Sequence, residues 1–253
     1  MSVSGTEHLT KLVVLNNSTI TTPFPALREF EWRGETLSVE AFPGALTVPA
    51  LFTVRADMVD ATFPFPAHLP SLVLAVRDSV DVALLTPLTR LRDLDINTDK
   101  GNDQLDLSPL TMLTRLNTNQ SAVSRLPTSL VECVVSLQSD ADLSPLTNLT
   151  SLELCLAPRV RVTFPTGLKT LSMKGLLDNT NVGDVALESF YSMSDARLTR
   201  RELEKLPKTL KTIGGRLEPG LMLEVGAMFP RFEGRCEAAQ DHFKLFQPFF
   251  LKF

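Results

Sequence analysis

The side chains able to do chemistry in this 253-residue chain are few and scattered. Its histidines are His8, His68 and His242, and its cysteines Cys133, Cys155 and Cys236. A nucleophile and its base must lie within hydrogen-bond reach of each other, with a third group orienting the base, and no local spacing here supplies such a set. The motifs that carry a mechanism, C-x-x-C, H-E-x-x-H, G-x-S-x-G and the glycine-rich phosphate loops, do not occur. Residues 97–106, NTDKGNDQLD, form an acidic stretch around Gly101. Hard cations take several oxygen ligands, yet the ordered D-x-D-x-D-G alternation and the closing Glu of a calcium loop are missing. A solvated turn is the other reading of that stretch. The inventory predicts no enzyme, no cofactor and no metal.

What the chain does contain is a spacing. Residues 142–154, DLSPLTNLTSLEL, carry leucines at 143, 146, 149, 152 and 154. Leu149, Leu152 and Leu154 are separated by three residues and then two. A helix would continue in threes and fours and a strand in twos, so the change of step marks a turn that enters a short strand. The pattern recurs at residues 106–116 (DLSPLTMLTRL) and 85–96 (LTPLTRLRDLDI). A second form alternates with it: Leu126-Pro-Thr-Ser-Leu130, Phe164-Pro-Thr-Gly-Leu168 and Leu206-Pro-Lys-Thr-Leu210. First anchors at Leu9, Leu27, Leu51, Leu69, Leu91, Leu113, Leu130, Leu149, Leu168, Leu187, Leu210 and Phe232 make about twelve units of roughly 17–24 residues.

These motifs resemble the leucine-rich-repeat superfamily, L-x-x-L-x-L. The Ser-Pro-Leu-Thr-Asn-Leu form is similar to the short repeats of internalins and of the leucine-rich regulatory subunit of type-1 protein phosphatase. The Leu-Pro-x-x-Leu form resembles repeats of bacterial leucine-rich effectors and of some amoebal proteins. The resemblance implies an α/β repeat fold: one right-handed leucine-rich-repeat solenoid over residues 1–253, with a parallel β-sheet on the concave face and mostly 3₁₀ turns and loops on the convex face. It also implies an Asn three residues after the last strand leucine of each unit. The sequence has Asn17 there and then Glu35, Arg77, Asp99, Ser121, Gln138 and Ala157, so irregular turns are expected.

In such a unit the apolar positions face inward and the residues between them face out, because strand side chains alternate. The outward positions predict a protein-binding surface of mixed charge. It carries Glu31, Arg33, Arg55 and Asp57 in the early units, then Asp93, Asp95, Arg115 and Asn117, then Glu132, Glu153, Lys174 and Tyr191. Interfaces are often anchored by Trp, Tyr or Arg, which singles out Arg33, Arg55, Arg115 and Tyr191. Trp32 occupies an inward slot and is expected in the core.

The function this predicts is a non-enzymatic protein–protein interaction scaffold or adaptor whose partner's identity the residues do not name. One alternative is a regulatory subunit of type-1 protein phosphatase: Arg161-Val162-Thr163-Phe164 resembles the [RK]-V-x-F docking peptide of phosphatase regulators, although Phe164 also fits a core repeat position. The other is a self-assembling structural protein. It would use the Phe-rich stretch at residues 233–253, where Phe243, Phe246, Phe249, Phe250 and Phe253 recur every few residues. The same stretch reads as a C-terminal cap, since a solenoid ends in an open hydrophobic cross-section.

Totals narrow the partner class. Lys and Arg number 25 against 29 Asp and Glu, a formal net charge of −4, and no basic stripe is present, so nucleic acid is not an expected partner. No stretch approaches the ~18 apolar residues of a membrane span, and the N-terminal residues do not read as a secretory signal. With three scattered cysteines, these features predict a cytoplasmic location.

Overall fold

The turns that the Leu-x-Pro-Leu-x-x-Leu spacing demands are built from two devices. The Asp that leads the motif closes an Asx turn: Asp106 Oδ1 accepts from the Ser108 amide at 2.9 Å and Asp142 Oδ1 from the Ser144 amide at 3.0 Å. Next come three-residue backbone steps, Leu110 N–H to Leu107 O and Leu113 N–H to Leu110 O in one repeat, Leu146 to Leu143 and Leu149 to Leu146 in another. Pro109 and Pro145 sit where no amide donor is required, and each carbonyl accepts from the following Thr111 or Thr147 amide. The Leu-Pro-x-x-Leu form closes with one bond, Leu130 to Pro127 O, Leu168 to Pro165 O and Leu210 to Pro207 O. Both devices bring the leucine before the strand inward, and Leu91, Leu113, Leu130, Leu149, Leu168 and Leu210 are all fully buried.

The computed structural model describes residues 8–15, 26–37, 50–78, 80–98, 105–119, 123–194 and 196–233. They fall into two compact units, Met1–Leu130 and Val131–Phe253. Each is a β-solenoid of leucine-bearing repeats with a parallel sheet on one side and short turns on the other.

The first unit contains β1 (Lys11–Leu15), β2 (Glu29–Leu37), β3 (Leu51–Val59), β4 (Ser71–Val76), β5 (Asp93–Thr98), β6 (Leu105–Asp106), β7 (Arg115–Thr118) and β8 (Val123–Arg125). Strands β1, β2, β3, β4, β5 and β7 pair in parallel in that order, and β6 pairs with β8 on the turn side. The register stacks Leu12, Phe30, Phe52, Leu72, Leu94 and Leu116 in one inward column and Val14, Trp32, Val54, Leu74, Ile96 and Thr118 in the next. Trp32 is fully buried, as its slot predicts. Burying each large apolar side chain contributes about 1.5–3 kcal/mol, so the columns are the main source of stability. Residues 61–70, ATFPFPAHLP, form successive turns in which Phe63 and Phe65 are buried, Pro64 is exposed and Pro66 is half-buried. There Phe63 and Phe65 meet at 4.9 Å between ring centres, and Phe65 meets Phe52 edge-on at 5.6 Å.

The second unit contains β9 (Glu132–Leu137), β10 (Ala141–Asp142), β11 (Ser151–Leu156), β12 (Val162–Thr163), β13 (Thr170–Lys174), β14 (Ser189–Ser192), α1 (Arg200–Lys205), β15 (Thr212–Gly214) and α2 (Leu221–Met228). Its sheet runs β9, β11, β13, β14, β15, all parallel, with β10 and β12 paired on the turn side. The inward column here is Cys133, Leu152, Leu171, Phe190 and Ile213. Helix α1 starts with a capping box, in which Thr199 Oγ1 accepts from the Glu202 amide and the Glu202 carboxylate accepts from the Thr199 amide. The turn sides carry 3₁₀ turns at Val82–Leu84, Leu177–Asn179 and Val182–Asp184, and only these two short helices occur among the described residues.

Asn at the third position after the strand is largely absent, yet two asparagines placed elsewhere do comparable work. Asn119 accepts from the Thr98 amide at 3.2 Å and donates to the Thr98 carbonyl at 3.0 Å, clamping the end of β5 from the next repeat. Asn181 does the same to Phe164, accepting from its amide at 2.7 Å. The phenylalanine-rich stretch at residues 234–253 lies outside the described residues, as does most of the acidic stretch around Gly101.

Candidate binding surface

The alternation that sends leucines inward lines the opposite face of each sheet with the predicted site residues. In the first unit the register sets out three outward rows. Lys11, Glu29, Leu51, Ser71, Asp93 and Arg115 make the first. Val13, Glu31, Thr53, Val73, Asp95 and Asn117 make the second. Leu15, Arg33, Arg55, Ala75 and Asn97 make the third, with Asp57 beyond it on β3. The charge pattern singles out none of Ser71, Val73 and Ala75, although Leu69, Leu72 and Leu74 carry the full repeat spacing that places them on this face.

Charges on this face are mostly tied to each other. Lys11 pairs with Glu29 at 3.0 Å, Arg77 with Asp57 at 3.3 Å and Arg115 with Asp93 at 2.5 Å. Exposed pairs of this kind contribute only about 0–1 kcal/mol, but they cancel the local field. Glu31 is the exception in stoichiometry. Its Oε1 accepts from Arg33 Nε at 2.8 Å and lies 3.2 Å from Arg55 Nε, so one carboxylate, only 9 % exposed, serves two guanidiniums.

Asp95 is buried among its neighbours on the same face. Loss of water pushes its carboxyl up to about 6, with the Asn117 side chain opposing by hydrogen bonding to it. The two histidines among the described residues, His8 and His68, are exposed and stand outside the strands.

In the second unit the rows are Glu132, Ser151, Thr170, Ser189 and Thr212, then Val134, Glu153, Ser172, Tyr191 and Gly214, then Ser136, Cys155 and Lys174. Hydroxyls dominate the first. Glu153 is half-buried and its carboxyl is raised by desolvation; among the described residues neither Glu132 nor Glu153 has an ion-pair partner. Cys155 beside it is raised as well, first by burial and then by the Glu153 charge, which leaves the thiol a poor nucleophile. Cys133 points inward, is buried, and is pushed to about 12.

Tyr191 requires a correction. It takes the outward position its spacing predicts, but its ring lies down across the strand neighbour Gly214 and only 5 % of the residue is exposed. It is therefore a packing residue of the sheet end and presents little surface to a partner. The Arg161-Val162-Thr163-Phe164 segment is also internal: Val162 and Phe164, the two apolar side chains a docking groove would receive, are 3 % and 1 % exposed.

No group of three or more His, Cys, Asp or Glu able to hold a metal occurs among the described residues. A small apolar hollow at the strand ends of the second unit, bounded by Leu156, Pro158, Val160 and Leu176, has Arg159 as its sole titratable lining group. No helix among the described residues is long and apolar enough to cross a membrane.

No family model matches the chain, and no curated protein matches it. Among solved structures it is similar to an internalin (inlF) from Listeria monocytogenes str. 4b F2365, at 15% sequence identity and a TM-score of 0.49, over 90% of this chain and 86% of that one.

Proposed function

We propose that the protein is a non-enzymatic scaffold that binds another protein through the outward faces of its parallel sheets. The observation that carries this reading is the division of labour within each repeat. Inward columns are mostly Leu, Val, Ile and Phe from strand to strand, while the outward rows vary in type, as from Glu31 to Thr53 to Val73 to Asp95. A repeat scaffold holds its fold with the constant positions and selects ligands with the variable ones. The titratable groups on those rows are dispersed or paired with each other, an arrangement suited to recognition and unsuited to proton transfer.

A photo-crosslinking amino acid placed at Thr53 or Ser172, both half-buried outward positions, tests the reading against the same label at Ser108 or Thr166 on the turn sides. Incubated with cell extract, the face positions are expected to give discrete adducts that the turn positions do not. Equal labelling from both sides, or adducts from the turn sides alone, would remove the sheet faces as the binding surface.

A further inference from the structure

On the face of the first unit, Arg33 and Arg55 stand directly opposite each other on adjacent strands. Neighbouring strands are only ~4.8 Å apart, and like charges opposite each other destabilise a sheet. Elsewhere on this face Lys11 pairs with Glu29, Arg77 with Asp57 and Arg115 with Asp93. Here a single carboxylate, Glu31, is set against two guanidiniums, so these three side chains together carry a charge of +1, with the exposed carboxylate of Glu35 one outward row beyond Arg33 on β2. The sharing is also unequal. Arg33 Nε donates to Glu31 at 2.8 Å, whereas Arg55 Nε is buried 3.2 Å from the same oxygen and makes no hydrogen bond. Glu31 itself is almost fully buried, and Val13 and Leu15, the register partners of Glu31 and Arg33 on β1, are 40 % and 61 % exposed.

We infer that the Arg33–Arg55 pair is a receptor for one carboxylate of an acidic protein segment. Two adjacent guanidiniums offer several N–H donors to one anion, and charge-assisted bonds of this kind are roughly twice as strong as neutral ones. A second carboxylate would neutralise these three side chains, and the exposed Val13 and Leu15 would cover the stem of the side chain that delivers it. This assignment rests on the scaffold reading, whose binding face it divides: it gives the first unit's face an acidic ligand and leaves the second unit's face to other contacts.

The test uses the full chain, an acetylated hexaglutamate peptide as probe, hexalysine and inorganic phosphate as controls, low ionic strength, and the arginine Nε–H resonances together with titration calorimetry as readouts. Hexaglutamate is expected to shift the Arg33 and Arg55 resonances and hexalysine to shift neither. R33Q and R55Q should each weaken binding by roughly tenfold, while R115Q, whose arginine is already paired with Asp93, should leave it unchanged. E31Q should tighten binding several-fold because it removes the internal competitor, a gain that misfolding does not produce. An unchanged affinity in R55Q together with no gain in E31Q would overturn the assignment. Phosphate binding with the same variant pattern and equal affinity would overturn the acidic segment as ligand and leave a general anion site. If hexaglutamate fails to bind while the Thr53 adducts persist, the receptor falls and the scaffold reading stands; loss of both removes the two together.

Discussion

The ring of Tyr191 rests on Gly214, its register partner on the neighbouring parallel strand, so closely that a methyl group at 214 would collide with Cδ1 and come within 3.0 Å of Cε1. Glycine is needed there for close approach, and the pair closes the middle outward row of the second unit at its last two strands. Gly214→Ala is expected to cost about 1–3 kcal/mol through overpacking. Because Tyr191 is the single tyrosine of the chain, nitration or ultraviolet difference spectroscopy reads the event directly. The ring should become accessible in the variant and stay protected in the wild type. Equal accessibility in both would show that the contact does not hold the ring down.

Asp95 gives a pH dependence of known sign. Its carboxyl is raised from 3.8 to about 6 in the folded chain by burial. Between those values the unfolded chain has lost its proton and the folded one retains it, so stability from this group falls as pH rises from about 4 to 6. Asp95→Asn keeps the shape and cannot ionise. It should be more stable than wild type at pH 7, by on the order of 1–3 kcal/mol, with the difference vanishing below about pH 4. Asp60, Asp106 and Asp142 are lowered by hydrogen bonds from Thr62, Ser108 and Ser144 and act in the opposite sense, supporting the fold above the usual carboxylate range and releasing it on acidification. Denaturant midpoints of wild type and Asp95→Asn across pH 3.5–8 separate the two contributions, since the three turn aspartates are common to both proteins.

Phe164→Ala tests whether the Arg-Val-Thr-Phe segment is structural. Phe164 is 1 % exposed and its backbone is clamped by Asn181. Truncation should cost about 3–5 kcal/mol and lower the urea midpoint accordingly. A surface docking residue would change stability by no more than about 0.5 kcal/mol, so an unchanged midpoint would restore recognition as the role of this segment.

The two described cysteines should differ in reactivity. Cys155 is half-exposed, with a thiol raised by burial and by Glu153, whereas Cys133 is buried and raised to about 12. Iodoacetamide labelling followed by peptide mapping at pH 8 should modify Cys155 slowly and Cys133 only in denaturant. Glu153→Gln should speed the labelling of Cys155 by removing the adjacent negative charge. Faster labelling of Cys133 than of Cys155 in the native protein would contradict the inward column.

Much of the architecture is legible from spacing alone. Leu149, Leu152 and Leu154 and their equivalents specify which side chains are buried, because a three-then-two step is compatible with a turn entering a strand and with little else. The prolines in the two repeat forms mark turns for a reason local to the chain, the missing amide. Outward positions follow from alternation, which by itself assigns Glu31, Arg33, Arg55, Asp93, Asp95, Arg115, Glu132 and Glu153 to the outer side of their strands.

What those side chains do to one another is another matter. Arg115 meets Asp93 across 22 positions of sequence and Arg55 meets Glu31 across 24, and such partners are brought side by side only by the register of parallel strands and the length of each intervening turn. The same registration laid Tyr191 on Gly214 and withdrew an expected anchor from the surface, and it buried Asp95 on a face whose pattern predicts exposure. Alternation decides the side of the sheet on which a residue sits, because it is a property of one strand. Burial, ion pairing and the availability of a charge depend on neighbours from other strands, and those only the tertiary structure decided.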